Sequence, residues 1–98
     1  MIFSWFDTKH SATFGRELAD FVVAEISAST HMRDFKFSGK VEKMLAKAER
    51  RIHEFKAHER LNFYKKSKLA NAFLWQLKDK GCPVESADQL TEWLAVRL

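Results

Sequence analysis

Between Gly39 and Gly81 the chain contains neither glycine nor proline. The 41 residues from Lys40 to Lys80 therefore hold no strong helix breaker. Inside a helix those two residue types cost about 1 and about 3 kcal/mol. Apolar residues recur through the run at helical spacing. With Val41 at zero and about 100° per residue, Val41, Met44, Leu45, Ala48, Ile52, Phe55, Phe63, Leu69, Ala70, Phe73 and Leu77 fall within about 80° of one line. Glu59, Asn62 and Lys66 interrupt the stripe midway.

Two geometries fit this run. A straight helix over about 40–80 would be a rod of about 61 Å at ~1.5 Å per residue. A bend between Asn62 and Ser67 would instead give a compact four-helix bundle. Phase continuity of the stripe favours the rod, and average helix length favours the bend. Either way the fold class is all-α. Three glycines and one proline in 98 residues are too few for a protein of many hairpins. Nine Phe and three Trp supply enough burial for one core. The length sets a single helical domain over 1–98.

Flanking helices are expected over about 9–26 and 86–98. In the first, Phe14, Leu18, Phe21, Val22 and Ala24 share a broad face, Asp7 and Thr8 can cap the start, and Ser27, Ser29 and Thr30 offer competing hydrogen bonds at the end. Gly15 inside that helix implies a close approach by another helix. The connection follows, with Phe35 and Phe37 expected to plug the end of the bundle. Gly81 is placed as the left-handed residue ending the central helix. Pro83 prevents its resumption. Ser86 with Gln89 reads as a capping box. Ala87, Leu90, Leu94 and Leu98 form a buried line, and Trp93 and Arg97, four apart, are spaced to stack.

The sequence offers little to catalysis. His53 and His58 are five apart, about 140° round a helix, so they do not face one metal. Ser38-Gly39-Lys40 lacks the earlier glycine and the following Ser or Thr of a phosphate loop. No nucleophile elbow or glycine-rich dinucleotide turn is present. The single cysteine, Cys82, has no histidine near it in sequence and reads as a small packed residue. No enzyme activity, cofactor or metal is expected. A lone cysteine and the absence of a leader-like or membrane-length apolar run point to a cytoplasmic protein. Ile2, Phe3, Trp5 and Phe6 read as aromatics closing the bundle, in preference to a wedge for a membrane surface.

Charge is the functional clue. Residues 1–39 carry a net −1, residues 40–80 a net +7 and residues 81–98 a net −2. The positive excess belongs to the long run. Its functional reading is a strip of Lys56, Arg60, Lys65, Lys66 and Lys68 for nucleic-acid phosphates. Its plainer reading is a solvated helix face. A second feature is more pointed. Ala57, Leu61, Tyr64, Ala72 and Trp75 lie roughly opposite the core stripe, where a monomer has little reason to place Leu, Tyr and Trp. Leu61, Tyr64 and Trp75, rimmed by Lys65 and Lys68, are the expected partner-binding residues. The sequence thus predicts a small non-catalytic interaction protein, a homodimer through its central helix or a binder of another protein. Nucleic-acid binding is the alternative.

Overall fold

The computed structural model describes the backbone of residues 9–29 and 39–98 and the side chains of 9–26 and 42–98. The expectations for Ile2, Phe3, Trp5, Phe6, Asp7, Thr8, Phe35, Phe37 and the Val41 side chain lie outside those residues. Among the described residues the structure is helical with no strand: α1 (Lys9–Ser29), α2 (Gly39–His58), α3 (Phe63–Asp79) and α4 (Val84–Arg97).

The straight rod is not what forms. The long run divides at residues 59–62, a few residues before the position expected for a bend. Asn62 supplies the reason. Its backbone is extended, and its side-chain Oδ1 accepts from the Lys65 N–H at 2.8 Å, capping α3. Neither glycine nor proline is needed, because an asparagine can satisfy an orphan donor at a new helix start. Lys65 is carried inward with it. Only 6% exposed, its ammonium lies 3.3 Å from Glu59 in the bend. His10 Nδ1 of α1 approaches the other Glu59 oxygen at 3.5 Å. The break also resets the helical phase. Met44, Leu45, Ala48 and Ile52 of α2 and Leu69, Phe73 and Leu77 of α3 are buried as expected, but Phe63 is 85% exposed.

α1 packs most extensively on α3. Leu18, Ala19, Val22 and Ile26 are buried along its inner side, and Ala24, expected there, is exposed. α1 runs to Ser29, three residues beyond the expected end, since serine is only a mild helix-breaker. Gly15 sits where α1 meets α3 most closely. A Cβ there would fall 2.5 Å from the Leu69 carbonyl oxygen and 3.2 Å from Ala72 Cβ. Asp20 adds a polar link, accepting from Gln76 at 2.8 Å.

α3 ends in a Schellman motif. Cys82 N–H donates to Leu77 O at 3.0 Å, Gly81 N–H donates to Lys78 O at 3.1 Å, and Gly81 has φ of +88°. α4 then begins at Val84, two residues before the expected start. Pro83 stands at its cap position with no side-chain hydrogen bond, so Ser86 is inside the helix and forms no capping box. Ala87, Leu90 and Leu94 are buried, while Leu98, expected with them, follows the helix end and is half-buried. The Arg97 guanidinium stacks 4.2 Å above the Trp93 ring, as the spacing predicted, and its Nε lies 3.5 Å from Glu49 of α2. Lys56 of α2 donates to Arg97 O at 3.1 Å, which places a cation at the negative end of α4.

Candidate interaction face

The inner side of α3 is committed to α1 and α4, leaving an outer face. Tyr64, Lys68, Asn71, Trp75 and Lys78 follow each other at spacings of four and three, so they form one stripe along it. Trp75 is 62% exposed and Tyr64 41% exposed. Each ring carries a lysine from one turn on. The Lys68 ammonium is 5.7 Å from the Tyr64 ring centre, and the Lys78 ammonium 5.1 Å from that of Trp75. Such contacts are worth about 0.5–1 kcal/mol when exposed. They hold two large aromatic surfaces beside two positive charges on a rigid helix.

The bend redistributes the residues marked from sequence. Tyr64, Lys68 and Trp75 share the outer face. Leu61 is half-buried in the bend. Ala72 faces α1, close to Gly15, and Ala57 is exposed near the end of α2, on another element. Lys65 is nearly buried against Glu59, so it is no rim residue. The basic strip is dispersed too. Lys56 is held at the end of α4, Arg60 is exposed in the bend, Lys66 is half-buried, and Lys68 points outward with Trp75.

Two features were missed at the sequence level. Asn71 and Lys78 complete the stripe, and the four-three spacing would have found them. The second is an acidic ridge on α4, where Glu85, Asp88 and Glu92 are all exposed at spacings of three and four. Between this ridge and α3 runs a groove lined by Leu74, Asp88, Gln89, Thr91, Glu92 and Ala95, of about 480 Å³.

A separate cleft of about 300 Å³ lies between α1 and α2, bordered by Glu17, Arg51, Glu54 and His58. Its floor is the stacked pair Phe14 and Phe55, with ring centres 4.2 Å apart. His58 and the two carboxylates lie on its rim. Among the described residues no three His, Cys, Asp or Glu side chains are placed to hold one metal ion. Cys82 is buried under the turn after α3, and burial pushes its thiol pKa up, which disfavours the reactive thiolate. No described helix is long and apolar enough to cross a membrane. No family model, curated protein or solved structure matches the chain.

Proposed function

We propose that this protein is a small, non-catalytic, cytoplasmic interaction module that self-associates through the outer face of α3. One observation carries the reading: Trp75 stands largely exposed in mid-helix, in line with Tyr64 and flanked by lysines. Exposed large aromatics aligned on a rigid helix are the kind of residue that anchors protein interfaces. Scattered surface apolar residues are common, but an aligned stripe on the middle of a helix is a patch. Light scattering on a sizing column tests the reading. The wild-type chain should elute as a dimer at micromolar concentration, and Trp75→Ala as a monomer with unchanged helicity. Equal masses for both, at the monomer value, would sink it. Trp75 is the better probe than Leu61, because Leu61→Asp also disturbs a half-buried position in the bend.

Nucleic-acid binding is the competing proposal, supported by the net +7 of residues 40–80 and by the Lys68–Tyr64 pair, a place for a base to stack. It requires a gel shift with mixed RNA or DNA that fades steeply as salt rises. No shift at low salt would remove it.

A further inference from the structure

We infer that the surface receiving the α3 stripe is the acidic ridge of α4 on a second copy of this chain, with the α3/α4 groove at the centre of the twofold interface. The inference rests on the self-association reading and names the opposing surface. α3 and α4 lie side by side, joined by the short turn at Gly81. One edge of the outer surface is positive and aromatic, with Tyr64, Lys68, Trp75 and Lys78. The other edge is negative, with Glu85, Asp88 and Glu92. Leu74 lies in the groove between them.

Twofold symmetry leaves few ways to close such a surface. Pairing α3 with α3 of the second copy in parallel sets Lys68 and Lys78 against the same lysines, and like charges in apposition are unfavourable; an antiparallel pairing about Asn71 avoids that but leaves the acidic ridge of α4 unanswered. A twofold axis parallel to the groove does the opposite. It lays each α3 against the partner's α4 and brings every positive edge to a negative one. The same axis keeps each residue at its own height along the groove. Lys78, three residues before Gly81, then meets Glu85 and Asp88 of the second copy, which follow that turn. Trp75, a turn further from it, covers the partner's groove beside Asp88, and Lys68, beyond Asn71, extends toward Glu92. The Tyr64 end reaches the partner's Val96, which is 83% exposed on the far end of the same ridge. The result is a four-helix layer of two α3 and two α4 helices. Each carries at the seam a charge that its own chain leaves exposed.

Charge exchange tests this assignment. Lys68→Glu with Lys78→Glu makes one variant, and Asp88→Lys with Glu92→Lys makes the other. Each alone should raise the dimer dissociation constant by at least ~10-fold, with far-UV dichroism unchanged. Mixed in equal amounts, the two should restore a dimer, which also shows that both variants fold. High salt should weaken the wild-type dimer. If Trp75→Ala breaks the dimer while the α4 variant stays fully dimeric, self-association stands and this partner surface is wrong. Failure of the mixture to re-form a dimer also overturns it. A wild-type chain that is monomeric at every concentration overturns both readings.

Discussion

Gly15→Ala gives the sharpest test of how the bundle closes, because two effects compete with opposite sign. On an isolated helix the change would stabilise by about 1 kcal/mol, since glycine is the poorer helix former. In this fold the new Cβ lands 2.5 Å from the Leu69 carbonyl oxygen and 3.2 Å from the Phe73 nitrogen, both backbone atoms of α3. Neither can rotate away. A carbon and a carbonyl oxygen settle no closer than about 3.3 Å, so α1 and α3 must part locally by roughly 0.8 Å. Gaps of that size forfeit about a quarter to a half of each dispersion contact they open. They open along the most extensive helix pair, where Leu18, Ala19 and Val22 are buried. Overpacking of this kind costs about 1–3 kcal/mol, and a backbone clash belongs at the upper end. The net expectation is a loss of about 1–2 kcal/mol after the propensity gain. In a domain of this size that lowers Tm by about 5–15 °C. Urea unfolding followed by far-UV dichroism, at one fixed protein concentration, measures it. Ala24→Gly, at an exposed position of the same helix, is the control and should lose about 1 kcal/mol from propensity alone. A gain in stability for Gly15→Ala would refute the close approach.

Other perturbations follow from the bend and the turn. Asn62→Ala removes the α3 cap and should destabilise by about 1 kcal/mol, with Asn62→Asp largely preserving stability; thermal melts of the pair compare them. Glu59→Gln leaves the nearly buried Lys65 ammonium without its counter-charge and should cost about 1–2 kcal/mol, moderated because Glu59 is partly open to water. A denaturation midpoint unchanged from wild type would contradict that pairing. Cys82 should react slowly with a thiol reagent in the folded chain and rapidly in urea. Its folded thiol is raised, so the unfolded chain loses this proton first. The associated stability is therefore full below the ordinary thiol range of about 8.5 and declines as pH climbs through and above it. Urea midpoints at a series of alkaline pH values, compared with Cys82→Ala, isolate that contribution.

Helix content was legible because it depends on short-range patterns. The buried sets of α2 and α4, the left-handed Gly81 and the Arg97–Trp93 stack all follow from spacing along one helix. Gly15 was legible for a related reason, since a mid-helix glycine costs stability unless another backbone approaches it. The break at 59–62 was harder. An acceptance band of about 160° admits nearly half of all positions, so the stripe kept its phase on paper while the chain had reset it. Phe63 is the residue that pays for that, counted as core by angle and exposed in the fold. The sign that could have located the break was Asn62, a good capping residue followed by an uninterrupted helix. Lys65 shows the remaining limit. Nothing local separates it from Lys66 or Lys68, and only the reset phase and Glu59 decide that it turns inward. The acidic ridge of α4 could be read from spacing, but its place beside α3 is a tertiary fact.

Self-association through the outer face of α3 is the proposal on which the partner surface depends. Sedimentation equilibrium of the wild-type chain over a wide concentration range tests it most directly. The wild-type chain should show a reversible monomer–dimer equilibrium that weakens in high salt and vanishes in Trp75→Ala. A single monomer mass at every concentration would contradict it.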